Sequence, residues 1–163
     1  MIEIWDAYDR KFSKIENIKL VRGEVIPDGM YHLVCEIIVK HEDGTYLLMQ
    51  RDFAKHYGGL WELTAGGSAL ADETPIECAI RELKEETGII ASDLFEIGRV
   101  VHDGRHSLYV VYLCTTNWDK NAVTLQEGET INYRWVDKTT ILQMKKDSLA
   151  ATRTLNFIKE TNI

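Results

Sequence analysis

Glu82, Glu85 and Glu86 fall at i, i+3 and i+4 in the run Arg81-Glu-Leu-Lys-Glu-Glu-Thr-Gly88. At about 100° per residue, a helix would place the three carboxylates within one arc of about 100°. Like charges at these spacings destabilise a helix by roughly a few tenths of a kcal/mol per pair. The C-terminal end of a helix disfavours anions further through its dipole. Arg81 and Lys84 offset part of this. A hard divalent cation resolves the conflict, because Mg²⁺ takes oxygen ligands and shares them among carboxylates, water and substrate phosphate. An isolated run of this kind reads as a solvated acidic face, but this one has company. The Gly66-Gly67 pair lets backbone approach closely, Glu73 stands just ahead of the helix, and Arg81 can fork onto neighbouring carboxylates.

The elements that must hold these residues follow from pattern. Thr74, Pro75 and Glu77 make an N-cap, a first helical position and a capping box, and Gly88 accepts the left-handed conformation that ends a helix, so the sequence predicts a helix over Pro75–Thr87. Ile76, Ala79, Ile80 and Leu83 recur at helical spacing and are expected to be its buried stripe. Strands are expected over Ile2–Tyr8, Ile15–Val21, Tyr31–Lys40, Tyr46–Arg51, Leu60–Thr64, Leu94–His102, His106–Thr115 and Ile131–Val136. The turn Glu42-Asp43-Gly44 should join Tyr31–Lys40 and Tyr46–Arg51 as a hairpin. A short helix is expected over Thr139–Lys145, and Asp147 should cap a longer one through Ile158, with Ala151, Leu155 and Ile158 on its apolar side. Strands on either side of a central helix, with helices at the end, imply an α/β (α+β type) mixed sheet covered on both faces.

Bulk properties bound the partners. The 163 residues suit one domain, with an N-terminal hairpin over about 1–22 and a core from about 30 to 163. The net charge of −7 argues against a nucleic-acid polymer, which requires a basic footprint, yet a cation can reverse the local sign for a small phosphorylated metabolite. No apolar run is long enough for a membrane span, and MIEIWDAYDRKF lacks the basic flank and apolar stretch of a signal peptide. Cys35, Cys78 and Cys114 form no CxxC and read as reduced core thiols, with a cytoplasmic location as the default.

Residues 67–89 match the Nudix box, G-x5-E-x7-R-E-U-x-E-E-x-G-U with U aliphatic, at Gly67, Glu73, Arg81, Glu82, Leu83, Glu85, Glu86, Gly88 and Ile89. The chain therefore resembles the Nudix hydrolase superfamily. EIWDAY, Arg22-Gly23, Tyr31-His32 and GLWELTAGG give a looser likeness to the branch related to isopentenyl diphosphate isomerase. The resemblance implies an α/β/α sandwich and a Mg²⁺-dependent pyrophosphatase, with Mn²⁺ as a substitute, acting in nucleotide metabolism on a nucleoside diphosphate derivative or similar metabolite. It implies Glu82, Glu85, Glu86 and the Gly67 carbonyl as metal ligands, and Glu82 or Glu86 as the base. Arg81 would orient Glu82, and Glu73 would support the loop. A further carboxylate from outside the box would be Glu127 or Glu129. For substrate, Arg51, Lys55 and His56 are placed to meet phosphate or base. Trp61 could stack on a ring, although a Trp in this position is more often core. His32, His102 and His106 read as locally satisfied. The resemblance also admits a homodimer. Two alternatives stay open: an isomerase, disfavoured because Trp61–Gly67 contains no cysteine, and a non-catalytic ligand sensor, disfavoured because the box is whole.

Overall fold

The computed structural model describes residues 1–160 and 163. Its elements are strands β1 (Ile4–Tyr8), β2 (Lys14–Val21), β3 (His32–His41), β4 (Tyr46–Arg51), β5 (Trp61–Glu62) and β6 (Thr64–Ser68), helix α1 (Pro75–Thr87), strands β7 (Asp93–His102), β8 (Ser107–Thr116) and β9 (Thr130–Val136), and helices α2 (Lys138–Gln143) and α3 (Arg153–Glu160). β3 and β8 run parallel through ten pairs at the centre of a seven-stranded mixed sheet. The apolar runs LVCEIIV and LYVVYLC fit that place, since a central strand is covered on both faces. Leu33, Cys35, Ile37, Leu108 and Val110 meet Ala79 and Leu83 of α1 on one face. On the other, Ile38, Leu48 and Val111 meet Ile141 of α2 and Leu155 and Ile158 of α3. All three cysteines are buried and free. Among the described residues, no helix is long and apolar enough to cross a membrane.

Three expectations need correction. β3 and β4 do not form a regular hairpin. They meet at one pair, Lys40 with Tyr46, and then part. β6, a strand the sequence reading left out, pairs with Val34–Ile38, while β4 pairs instead with β5 and β9. A strand edge can serve one partner at a time, so the arms splay and leave a wedge between them. Secondly, α1 buries Cys78, Ala79, Leu83 and Thr87, whereas Ile76 and Ile80 are exposed by 40% and 44%. Turning Glu82 and Glu86 toward the Gly66-Gly67 strand moves the two isoleucines to the rim. Thirdly, no long helix starts at Asp147. Lys146–Ser148 is a single 3₁₀ turn, Leu149 bridges to Trp61, and the Ala150 amide donates to the Trp61 carbonyl at 2.9 Å. The backbone there extends the edge of β5, and α3 begins only afterwards.

β1 and β2 form a separate two-stranded sheet. Tyr8 and Tyr31 exchange backbone hydrogen bonds of 2.9 Å, and the Ala71 amide donates to the Ile4 carbonyl at 2.9 Å. Asp6, only 2% exposed, accepts from the Asp72 amide at 2.8 Å and pairs with Lys14 and Lys19. The hairpin is thereby tied to the loop leading into α1.

Candidate active site

The helix start is fixed locally. Thr74 caps α1, its side chain accepting from the Glu77 amide while Glu77 accepts from the Thr74 amide, and Gly88 closes the helix at φ 76°. α1 then lays its last two turns against β6. Gly66 passes so close to β3 that an added Cβ would lie 2.0 Å from the Cys35 carbonyl oxygen. A Cβ on Gly67 would lie 2.6 Å from the Glu82 carboxyl group. These two glycines let the acids of α1 rest on strand backbone.

Arg81 organises the acids. Its Nε and Nη2 donate to Glu73 at 2.7 and 2.9 Å, and its Nη1 donates to Glu82 at 2.7 Å and Glu85 at 3.3 Å. Nη2 also reaches the Ser68 carbonyl at 3.2 Å. Glu73 in turn accepts from the Leu70 amide at 2.9 Å, which fixes the loop. Burial works against the Glu73 charge, but the Arg81 fork and the Leu70 amide outweigh it and hold its pKa below the ordinary value. The hydrogen bonds to Glu73 first, and then to Glu82, raise the Arg81 pKa further against the effect of burial.

Glu86 accepts from the Gly66 amide at 3.0 Å. Burial pushes its pKa up to about 8; the Gly66 amide offsets part of this, and the charges of Glu82, Glu62 and Glu129 add to it. Burial likewise raises Glu82, against the pull of Arg81. The floor is thus short of positive charge. Five carboxylates (Glu3, Glu82, Glu85, Glu86, Glu129) and three cations (Arg22, Lys55, Arg81) line a cleft of about 430 Å³. Hard oxygen donors gathered along one cleft are a donor set suited to a divalent cation. Among the described residues no three acid, histidine or cysteine side chains yet converge on one point. Glu82 is turned to Arg81, Glu86 to Gly66, and Glu129 to Lys55. The Gly67 carbonyl faces the Cys78 thiol at 3.6 Å.

The structure gathers most of the expected residues and leaves some aside. Gly67, Arg81, Glu82, Glu85, Glu86, Glu129 and Lys55 line the cleft. Arg51 lines an adjoining inner chamber, paired with Glu62. Glu127 is exposed in its loop and lines neither space, because the Gln126–Gly128 turn delivers Glu129 inward instead. Trp61 is also a correction. It packs on the α2–α3 side of the sheet, with the Arg134 guanidinium 4.5 Å above its ring, and touches neither space.

The sequence reading missed several cleft residues. Glu3, Trp5 and Arg22 come from the N-terminal hairpin, and Gln126 from the loop before β9. His32 stacks on Trp5 with ring centroids 4.2 Å apart and meets Ser107 Oγ at 2.8 Å and Ser68 Oγ at 3.2 Å. Burial pushes its pKa down to about 4. Glu36 and Glu62 line the inner chamber. A signal existed for Glu36, since a charged residue inside the apolar run LVCEIIV demands a partner or a use. For Glu3, Trp5 and Arg22 the signal was the looser family likeness of EIWDAY and Arg22-Gly23, which gave them no role, because their approach to the cleft depends on tertiary contacts.

The profile of the NUDIX domain matches residues 30–155. The uncharacterized Nudix hydrolase lmo0368 of Listeria monocytogenes is 28% identical over 138 residues, 84% of this chain and 81% of that protein. The 8-oxo-dGTP diphosphatase of Proteus vulgaris is 32% identical over 99 residues, 60% of this chain and 85% of that protein. In fold, the chain is similar to the crystal structure of DR0079 from Deinococcus radiodurans, with a TM-score of 0.76 over 96% of this chain and 98% of that one at 13% identity.

Proposed function

The chain belongs to the Nudix hydrolase family, and on that premise we propose that it hydrolyses a diphosphate linkage in a nucleoside diphosphate derivative with the help of Mg²⁺, or Mn²⁺ in its place. The carrying observation is the cleft floor, where Glu82 and Glu86 lie against the Gly66-Gly67 backbone and Arg81 is anchored by Glu73. The kinship to a protein named as a nucleotide diphosphatase favours this substrate class.

Glu82, Glu85, Glu86 and the Gly67 carbonyl would hold the cation, with Glu129 available once Lys55 releases it. When bound, the ion supplies charge neutralisation at the phosphate oxygens and makes water a stronger acid. Glu86 or Glu82 accepts the proton of the attacking water, both lying at the cleft floor beside the Gly66-Gly67 backbone. Lys55 and Arg22 face the same space and offset phosphate charge. Arg81 positions Glu82, and Glu73 positions Arg81. Water adds to one phosphorus, the bridging P–O bond breaks, and its electrons stay on the departing phosphate, leaving two phosphorylated fragments. An isomerase using a cysteine at the substrate fits less well, because the three thiols are buried and none lines the cleft.

The test is Glu82→Gln and Glu86→Gln assayed on a panel of nucleoside diphosphate derivatives with and without Mg²⁺. Loss of at least about a hundredfold in kcat, with circular dichroism unchanged, is the expected result. Undiminished turnover in both variants would remove these residues from the chemistry.

A further inference from the structure

We propose that the inner chamber receives the base of the substrate and selects bases that carry an exocyclic amino group, an inference resting on the hydrolase reading above. The chamber, about 120 Å³, lies in the wedge opened where β3 and β4 part. It is continuous with the cleft through Lys55, Gly66, Glu86 and Glu129, which border both spaces. A group attached to a diphosphate seated on the acids of α1 would enter it.

Its walls carry unmet polar capacity. Glu36 and Thr130 are each only 7% exposed, yet among the described residues Glu36 Oε2 and Thr130 Oγ1 have no hydrogen-bond partner. The other Glu36 oxygen is bound by Arg153. Glu62, which also lines the chamber, is held by Arg51. Buried polar atoms left unpaired are costly and call for a partner. The unpaired carboxylate oxygen accepts only, so the partner must donate. An amino group offers two N–H donors to Glu36 and its neighbours. An imide base offers one N–H between two carbonyl oxygens, which would face Glu36 and Glu62 as like charges. An alkyl chain would leave both orphans buried without relief. The geometry therefore favours an amino-bearing base over an imide base, and any base over a prenyl chain.

The matched probes are cytidine and uridine diphosphate derivatives, which differ only in the amino or carbonyl group at C4 and in the proton that the neighbouring N3 lacks or carries. Two readouts apply: kcat and KM for hydrolysis with Mg²⁺, and the Kd of the methylene-bridged, uncleavable analogues by calorimetry. The wild-type chain is expected to favour the cytidine member about tenfold or more in both. Glu36→Gln presents an amide N–H₂ where the orphan oxygen stood. It should reduce or invert the ratio by at least about tenfold, chiefly through KM. Thr130→Val, which keeps the shape and removes the hydroxyl, is the second variant and should weaken both analogues. Equal affinity for the two analogues, a ratio that Glu36→Gln leaves in place, or undiminished binding of both analogues by Thr130→Val would overturn the assignment. Hydrolysis without base discrimination sinks the chamber and leaves the hydrolase standing. Discriminating analogue binding with no hydrolysis of any probe does the reverse.

Discussion

The acids of α1 are held against their own electrostatic preference. Glu86 is the extreme case, since burial, with the charges of neighbouring glutamates, pushes its pKa up to about 8. Replacing its carboxylate with an amide removes a charge that the metal-free fold tolerates poorly. Glu86→Gln is therefore expected to raise the urea midpoint of the metal-free protein at pH 8 by the equivalent of about 1 kcal/mol while it abolishes turnover. Gly66 makes the opposite point. An added methyl group meets the Cys35 carbonyl at 2.0 Å, and backbone on both sides cannot yield. Gly66→Ala should cost at least about 2–3 kcal/mol in chemical denaturation. At this scale the sequence was most legible in residues 67–89, because helical spacing and capping fix where Arg81, Glu82 and Glu86 point. It was least legible where a loop chooses the direction. Glu127 and Glu129 are two residues apart, and only the turn at Gly128 sends one inward.

At the level of elements, α1 was legible to the residue, since Thr74, Pro75 and Gly88 state its ends. The pairing of strands was not. β3 and β4 read as a hairpin from their turn, but pattern alone cannot reveal that the Gly66-Gly67 strand competes for the same edge. The N-terminal hairpin is another tertiary matter. Asp6→Asn removes the charge shared with Lys14, Lys19 and the Asp72 amide. It should lower stability by about 1–3 kcal/mol, the lysines being partly solvated. Faster hydrogen exchange at the Tyr8 and Tyr31 amides would report the loosened hairpin. His32, pressed between Trp5 and the two serines, gives a pH signature. Its folded pKa, about 4, lies below the unfolded value of 6.5. The stability it contributes is full above about pH 6.5, falls as the pH drops, and is gone by about pH 4. The whole effect is at most about 3 kcal/mol. His32→Gln should flatten that part of the urea-stability profile between pH 7 and 4; a slope identical to wild type would show that His32 is not the titrating group.

For the whole molecule, a chain of net charge −7 concentrates five of its carboxylates around one cleft. Relief of that repulsion should be visible in thermal stability. Mg²⁺ at tenfold its Kd is expected to add about 1.4 kcal/mol, or roughly 3–6 °C in Tm, with Mn²⁺ acting in the same direction. Glu82→Gln combined with Glu86→Gln should cancel the rise, and an undiminished rise would place the ion elsewhere. The two-faced sandwich was readable from the order of strands and helices, while the partition of labour across it was not. The NUDIX-domain match begins at residue 30, yet Glu3, Trp5 and Arg22 precede it and still border the cleft. One bank of the reaction vessel is thus supplied by a separate two-stranded sheet, moored through Asp6 and the Tyr8–Tyr31 bonds. Substitutions at Glu3, Trp5 or Arg22 can reshape what is admitted while the acid-bearing helix keeps its sequence, so guest preference and bond-breaking power are free to drift apart under selection.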